Sequence, residues 1–319
     1  MLEKTLNSLI AQPVPENTEI VISDNASTDT TGEVCKKYRD KYAFIKYFRN
    51  ESNIGLDPNV LESVRKAQGQ YCWLCSDDDI VLEGTLNNIL DKIERSNPPF
   101  IYLNYAGFLE TENYEVIYSR TKDSKDELYY DAEKMIRDHL LNHFSATIFK
   151  KQLALNYFYV VDECKKMGCE RGYSLAINYY IILNNPGPYI FIGKISLAVR
   201  NPIDIWGNSY NPLTIIIDMA MGYQSLVKKG LISEYTENYI LSMLLKGFYK
   251  IVLPMRLFND PGYTKDKVKK IMELCGKYKT FRIYLYPFMV LPKWLLFLPY
   301  IIIRKIKGLY RRVFNKSPF

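Results

Sequence analysis

Residues 20–29, Ile-Val-Ile-Ser-Asp-Asn-Ala-Ser-Thr-Asp, join a short apolar run to a cluster of polar side chains. The apolar run predicts a strand over residues 19–23 that ends at Asp24. Asp, Asn, Ser and Thr side chains accept hydrogen bonds from the free backbone N–H groups at a helix start. The stretch therefore predicts a strand, a polar loop and a helix in succession.

The same succession recurs at residues 71–79, Tyr-Cys-Trp-Leu-Cys-Ser-Asp-Asp-Asp, where an apolar run ends in three aspartates. Further strands are predicted at 45–48 and 100–104, and helical periodicity separates the strands. This alternation predicts an α/β fold in which a mostly parallel sheet is flanked by helices on both faces. Ligands bind beyond the carboxyl ends of such strands, which is where both polar clusters lie.

Three consecutive aspartates repel one another, and this repulsion would raise the pKa of at least one. A divalent cation relieves it, since Mg²⁺ and Mn²⁺ take carboxylate oxygens together with substrate phosphates. Such an ion can stabilise a leaving diphosphate. The alternative is an acidic N-cap for the following helix. The second polar cluster, at Asp24, favours the metal site.

Three segments together resemble motifs of the inverting glycosyltransferase family two, which has the GT-A fold. They are residues 20–29, similar to its nucleotide-binding segment, Asn53-Ile54-Gly55, similar to its next loop, and Ser76-Asp77-Asp78-Asp79, similar to its D-x-D motif. Residues 53–57 with 69–74 look most like a subgroup that includes bacterial abequosyltransferases of O-antigen synthesis. The resemblance covers residues 2–104.

The resemblance implies a role for each matched residue. Asp24 would contact the nucleotide base, and Asp77 would lie near the ribose. Asp78 would bind Mg²⁺ or Mn²⁺ together with the donor diphosphate, while Asp79 either assists as a metal ligand or only shapes the loop. Asn53 and Gly55 would shape the loop beside the nucleotide, or are plain turn residues.

An inverting transferase also needs a carboxylate that takes the proton of the acceptor hydroxyl. The resemblance implies that this base lies in the second half of the chain, where Asp162, Glu163 and Glu170 are candidates. We favour Glu170 as the catalytic residue, because residues 167–172 form a polar turn before a helix-like run. An ordinary surface glutamate is the alternative.

The chain departs from the family at its start. Members begin with an apolar strand and a Pro-x-Tyr-Asn-like turn, whereas Met1 here directly precedes the first predicted helix. We therefore expect a GT-A sheet without its first strand, as a late start codon or a truncated gene would produce. Loss of a central strand would expose backbone groups of the sheet, which puts the activity of this exact chain in question.

The chain is predicted to divide into four regions. A nucleotide-sugar-binding half at 1–104 and an acceptor-binding half at 105–212 form one GT-A domain. A helical region at 213–280 extends this domain, and a tail at 281–319 associates with a membrane. The six cysteines form no disulfide pattern, so we expect reduced thiols in a cytoplasmic protein.

The membrane prediction for residues 281–319 depends on two adjoining runs. Residues 284–303 are apolar except for Lys293 and three prolines, which argue against a clean span and favour an interfacial segment. Six of the seven net positive charges lie in residues 304–319. A local basic run favours an anionic membrane surface over nucleic acid as the partner. We expect the chain to lie on the inner face of the cell membrane; the alternative is a packed C-terminal helix.

Together these patterns predict a metal-dependent glycosyltransferase. It would move a sugar from a nucleotide-sugar donor to a glycan or lipid-linked acceptor of a bacterial surface polysaccharide. Two alternatives stay open. A nucleotidyltransferase would also combine an α/β sheet, acidic residues and a metal, although it usually carries a Gly-rich N-terminal loop. A catalytically impaired relative would act only as a binding protein.

Overall fold

The computed structural model describes residues 1–108, 116–119, 123–169, 176–200, 211–297 and 300–301. The chain divides into two compact units, Met1–Ile205 and Trp206–Phe319. The predicted boundaries at 104/105 and 280/281 lie within these units and stay predictions.

The first unit holds strands and helices in mixed order. Its strands are β1 (Ile20–Asp24), β2 (Ile45–Arg49), β3 (Tyr71–Trp73), β4 (Ile80–Val81), β5 (Phe100–Phe108), β6 (Val116–Ser119), β7 (Glu127–Tyr129), β8 (Thr147–Lys150) and β9 (Tyr189–Arg200). Its helices are α1 (Leu2–Ile10), α2 (Thr31–Lys41), α3 (Leu56–Lys66), α4 (Thr85–Ser96), α5 (Ala132–His139), α6 (Lys151–Asn156), α7 (Tyr159–Lys166) and α8 (Ala176–Asn184). A 3-10 turn at Phe144–Ala146 precedes β8.

The sheet confirms the α/β class but is mixed in direction. β1 and β2 form a parallel pair, and the other strands form a sheet in the order β3-β8-β5-β9-β4, with β6 on β5 and β7 on β9. In this larger sheet the β5–β9 pair is parallel, and the other described pairs are antiparallel. The expectation of a mostly parallel sheet is corrected, because β8, from later in the chain, lies between β3 and β5.

The middle of the larger sheet forms the core of the unit. Residues 100–103 of β5 are completely buried, a run that indicates cover on both faces of the strand. Helix α8 packs against β5 and β8 and is apolar around most of its circumference; Ile181 and Ile182 are fully buried. This core fixes the end of β3, which leads to the aspartates at 77–79. It also fixes the end of β9, where the backbone of Arg200 contacts Asp79.

Helix α1 connects the two sheets. Among the described residues β1 pairs only with β2, and β3 pairs only with β8. Leu6 of α1 packs into a cluster with Tyr38 of α2 and Ile45 of β2. The Ser8 hydroxyl of α1 accepts a hydrogen bond from the Val81 N–H of β4 at 3.0 Å. One helix therefore holds β1 and β2 near the larger sheet.

The second unit is helical, as the sequence predicts. It contains α9 (Pro212–Lys228), α10 (Glu234–Leu257), α11 (Lys265–Cys275), a π-helix at Phe281–Leu285 and α12 (Tyr286–Val290). The Asn211 side chain accepts the Leu213 N–H at 2.9 Å and so caps α9. Within the described ranges, no helix is long and apolar enough to cross a membrane.

Candidate functional site

The loop that follows β1, residues 24–30, is arranged around the Asp24 carboxylate; we call it the Asp24 loop. This side chain is fully buried. One oxygen accepts the Ser27 N–H at 2.8 Å, and the other accepts the Tyr47 hydroxyl and the Arg49 guanidinium at 2.7 Å each. Burial alone would raise the pKa of Asp24, but these hydrogen bonds outweigh it and hold the pKa below its ordinary value. Asp24 is therefore an ionised residue that organises the loop.

Asn25 connects the Asp24 loop to the loop at residues 53–55. Its amide oxygen accepts the Ile54 N–H at 2.9 Å, and its amide nitrogen donates to the Asn53 side chain at 2.8 Å and to the Gly55 carbonyl at 3.1 Å. Gly55 has a φ of +89°, which glycine adopts without strain, and it precedes helix α3. The structure thus places Asn53 and Gly55 beside Asn25 of the Asp24 loop. Their contact with a nucleotide stays a prediction.

The second cluster is the acidic loop, Ser76–Asp79. Asp79 is buried at its end, with 2% of its surface exposed. One carboxylate oxygen accepts the Ser145 hydroxyl at 2.5 Å, and the other accepts the backbone N–H of Arg200 at 3.0 Å. Burial raises the pKa of Asp79 to about 6, although both hydrogen bonds favour the charged form. Since both of its oxygens are engaged, this geometry favours loop shaping over metal ligation.

Asp77 and Asp78 differ from Asp79 in their access to solvent. Asp77 is exposed, and its backbone carbonyl accepts the Thr5 hydroxyl of α1 at 2.9 Å. Asp78 is half-buried, and one of its oxygens accepts the Ser76 hydroxyl at 2.6 Å. Partial desolvation of its carboxyl group, and then the charge of Asp78, raise the pKa of Asp77. The neighbouring carboxylates of Asp77 and Asp78 thus place negative charge where solvent reaches the acidic loop.

Helix α1 links the two loops. Its Thr5 hydroxyl donates to the Asp77 carbonyl at 2.9 Å, and its Asn7 side chain accepts the hydroxyl of Tyr38 at 2.7 Å, a residue of α2, the helix that follows the Asp24 loop. The pKa of the buried Cys35 thiol of α2 is raised to about 11, mainly by burial and to a lesser degree by the charges of Asp24 and Asp77. Asn25 thus joins the Asp24 loop to Asn53 and Gly55, and α1 with α2 connects this group to the acidic loop, although β1 and β3 belong to different sheets.

The available oxygens fit a divalent cation that is shared with a substrate. Among the described residues, no group of three or more His, Cys, Asp or Glu side chains could hold a metal ion. Mg²⁺ bound with a nucleotide usually takes only one or two carboxylates, and phosphates and water complete its shell. Asp77 and Asp78 are the two carboxylates of the acidic loop that solvent reaches. The residues present therefore suit an ion that binds together with a diphosphate.

The candidate bases lie apart from the acidic loop in the sequence. Glu170 lies outside the described residues, so its role as the catalytic base stays a prediction. Asp162 and Glu163 belong to α7, where Asp162 is exposed and Glu163 is half-buried.

Sequence reasoning missed four residues that form the site: Tyr47, Arg49, Ser145 and Arg200. Tyr47 and Arg49 could have been found from the sequence. They are two residues apart on β2 and so share one face of the strand that pairs with β1. Ser145 and Arg200 could not have been found in this way, because they reach the acidic loop only through the tertiary fold.

Comparison with protein families identifies the domain that carries both loops. The model of glycosyl transferase family 2 matches residues 1–154. This range contains the Asp24 loop, the acidic loop and Ser145.

Related proteins of known or assigned activity match over parts of their length. An abequosyltransferase of Salmonella typhimurium is 46% identical over 87 residues, 27% of this chain and 26% of the relative. A Campylobacter jejuni β-1,3-glucosyltransferase, named for a GalNAc(5)-diNAcBac-PP-undecaprenol substrate, is 29% identical over 161 residues and 49% of each chain. The matches thus cover about a quarter and about half of these relatives. The first agrees with the subgroup predicted from the sequence.

Solved structures share the fold. Staphylococcus aureus TarS, residues 1–349, has a TM-score of 0.61 over 86% of this chain and 76% of that one, at 16% identity. A complex of the same protein with UDP-GlcNAc gives the same TM-score. These values confirm the predicted GT-A fold for the chain.

Proposed function

We propose that the chain transfers a sugar from a nucleoside-diphosphate sugar to an acceptor hydroxyl, because residues 1–154 match the model of glycosyl transferase family 2. The observation that carries the proposal is the connection of the two loops through α1 and α2. One loop is a rigid frame built on Asp24, and the other presents Asp77 and Asp78 to solvent. A nucleotide and its diphosphate need this combination of a shaped pocket and a site for a cation.

Each side chain has a separate task in this proposal. Asp24 fixes the loop beside the base through Tyr47 and Arg49. Asp77 would lie near the ribose, and Asp77 and Asp78 would hold Mg²⁺ or Mn²⁺ when the donor binds. Such an ion, when bound, neutralises the charge that develops on the leaving diphosphate. Asp79 keeps the acidic loop in place through Ser145 and Arg200.

The transfer itself is a single displacement with inversion. The acceptor oxygen bonds to the anomeric carbon as the bond from that carbon to the diphosphate oxygen breaks. The acceptor proton passes to a carboxylate, for which Glu170 is our candidate. The nucleoside diphosphate leaves with the electron pair of the broken bond.

The relatives indicate the class of substrate. One is named for abequose transfer, one for an undecaprenol-linked acceptor and one for minor teichoic acid biosynthesis. We infer that this chain acts on a glycan or a lipid-linked acceptor of a bacterial surface polysaccharide.

Calorimetric titration with UDP, CDP and GDP tests this function, each in the presence of Mn²⁺ and again with EDTA. We expect one nucleotide to bind with Mn²⁺ and to bind much more weakly with EDTA. A chain that binds none of the three would instead be a relative without a working donor site. Release of pyrophosphate rather than a nucleoside diphosphate during turnover would indicate a nucleotidyltransferase.

The second unit carries a surface that suits the membrane part of the proposal. Eight exposed large apolar side chains define this apolar C-terminal surface: Ile283, Tyr284, Tyr286, Val290, Leu291, Trp294, Leu295 and Phe297. The Lys246 ammonium lies 6.0 Å from the centre of the Tyr284 ring, and Lys293 lies within the run. No acidic residue occurs from residue 274 to 319. Apolar and aromatic side chains among cations fit the surface of an anionic bilayer.

We propose that this surface lies on the cytoplasmic leaflet, where a lipid-linked acceptor is within reach. Sedimentation with phosphatidylcholine vesicles, with and without phosphatidylglycerol, tests it. Trp294→Ala should weaken binding to the anionic vesicles by about 10-fold, as loss of one buried large apolar side chain predicts. Tyr130→Ala is the matched control, because Tyr130 is 73% exposed and Trp294 74%. Equal sedimentation of all three proteins would remove the membrane proposal.

A further inference from the structure

The Ser145 hydroxyl contacts both ends of the acidic loop. It accepts the backbone N–H of Ser76 at 2.9 Å and donates to the Asp79 carboxylate at 2.5 Å. Ser145 is 69 positions from Ser76 and 66 from Asp79 in the sequence, and it is completely buried. One hydroxyl therefore sets the distance between the residues on either side of Asp77 and Asp78.

Ser145 is itself held in place from β3. Its carbonyl accepts the indole N–H of Trp73 at 2.7 Å, and Trp73 is the last residue of the strand that leads into the acidic loop. The backbone N–H of Leu74 donates to the Thr147 carbonyl at 3.2 Å and continues the contact between β3 and β8. The hydroxyl position is therefore fixed by the same strand whose end it controls.

The hydrogen bonds of Ser145 also restrict Asp78, whose carboxylate is accessible to a ligand. Ser76 has its backbone held by Ser145, and its own hydroxyl donates to one oxygen of Asp78 at 2.6 Å. Asp79 at the other end is also held by the Arg200 backbone. Asp78 thus receives its orientation from a chain of hydrogen bonds that begins at Ser145.

We propose that Ser145 is a positioning residue that orients Asp78 for a divalent cation and the diphosphate of the donor. The inference rests on the proposed function, since it assigns a residue that acts through the donor site. Groups that orient metal ligands without touching the metal usually change metal affinity 10- to 100-fold when removed. A serine that only stabilises the fold would lower stability and leave metal-dependent affinity unchanged.

The test is calorimetric binding of UDP, CDP and GDP with Mn²⁺, and again with EDTA, to the full chain and to Ser145→Ala. We expect Ser145→Ala to weaken the Mn²⁺-dependent affinity by about 10-fold. The residual affinity in EDTA should not change. In an Asp78→Asn background, Ser145→Ala should have little further effect, because both substitutions act on one ligand.

Thr147→Val is the matched control. Thr147 is also completely buried, and its hydroxyl donates to the Phe144 carbonyl at 2.7 Å, a bond outside the acidic loop. We expect it to lower the melting temperature without changing nucleotide affinity. If Ser145→Ala does not fold, Ser145→Cys serves instead, since a thiol is a weak donor and should give a smaller loss of Mn²⁺-dependent affinity.

The outcomes distinguish the role of Ser145 from the proposed function of the chain. Unaltered affinity in both Ser145 variants, with metal-dependent binding by the parent chain, would overturn the role of Ser145 and leave the proposed function standing. An equal loss in Mn²⁺ and in EDTA would also overturn it, because the effect would not pass through Asp78. Failure of the parent chain to bind any nucleotide would remove the donor site and the role of Ser145 with it.

Discussion

The Asp24 loop and the acidic loop resemble each other in sequence but differ in how their carboxylates are used. Each lies at the end of a strand and contains an aspartate that directly follows a serine, Ser23-Asp24 and Ser76-Asp77. Asp24 is fully buried, and both of its oxygens accept hydrogen bonds from the protein. In the acidic loop only Asp79 is used in this way, while Asp77 is exposed and Asp78 is half-buried.

The difference shows why acidic residues alone do not define a ligand site. A buried carboxylate with a complete set of donors stabilises the loop around it and has little capacity left for a ligand. Carboxylates that are close together and accessible retain that capacity. Substitutions in the two loops should therefore have different effects, on stability in the Asp24 loop and on binding in the acidic loop.

The largest effect is expected for Asp78→Asn. Loss of this charge should lower turnover by about 1,000-fold, or about 4 kcal/mol, because the diphosphate would leave without its cation. Stability should change little, since Asp78 is not fully buried. The measurements are initial rates with the donor that the chain binds and a thermal melt. Glu83→Gln is the control, an exposed acid four residues after Asp79 that should leave the rate unchanged.

Asp24→Ala should act mainly on stability. Removing the carboxylate leaves the Tyr47 hydroxyl and the Arg49 guanidinium without their acceptor, which should lower the free energy of unfolding by about 3 kcal/mol. Urea denaturation measures this change. Asp29→Ala, in the exposed part of the same loop, should cost only about a third as much, because its carboxylate lies in solvent and accepts the Thr31 N–H at 3.0 Å. Equal losses for the two variants would show that Asp24 does not organise the loop.

The contribution of Asp24 should also depend on pH. Its pKa is lowered in the folded chain, so its stabilisation is complete above the unfolded value of about 3.9 and is lost as pH falls through the folded pKa. The stability difference between the parent chain and Asp24→Asn should therefore be largest at neutral pH and should shrink below about pH 4. Urea midpoints measured at several pH values give this difference. A constant difference would contradict the lowered pKa.

The smallest effect concerns Ala26, whose φ is +61° within the Asp24 loop. Alanine is strained there and glycine is not, so Ala26→Gly should raise the free energy of unfolding by about 1 kcal/mol. Ala67→Gly is the control, since Ala67 has a φ of −61° and should lose rather than gain stability. A loss at both positions would mean that the strain at residue 26 is not relieved by glycine.

The local parts of the fold were predictable from the sequence, whereas long-range pairings were not. Strands β1 and β2, helix α1 and both polar loops follow from short apolar runs and capping residues. The place of β8 between β3 and β5 depends on pairing Cys72 with Phe149, a contact that no local pattern indicates. The mixed direction of the sheet could therefore not be deduced from the alternation of the first hundred residues.

The same division holds for the candidate site. Asp24 and Asp77 to Asp79 could be identified as candidates because polar clusters at strand ends are visible in sequence. Their different roles depend on donors elsewhere in the chain. Arg49 lies opposite Asp24 in the β1–β2 register and could have been inferred once that pairing was assumed. Ser145 and the Arg200 backbone could not, since nothing near them in sequence marks a partner.

Mn²⁺ binding tests the central claim most directly, because it separates the two loops without knowledge of the sugar or the acceptor. The electron paramagnetic resonance signal of free Mn²⁺ would be followed as the chain is added in the presence of the nucleoside diphosphate that it binds. The account predicts that the parent chain and Glu83→Gln remove the signal, whereas Asp78→Asn leaves it nearly intact. Full binding of Mn²⁺ by Asp78→Asn would contradict the assignment of the acidic loop as the metal and diphosphate site.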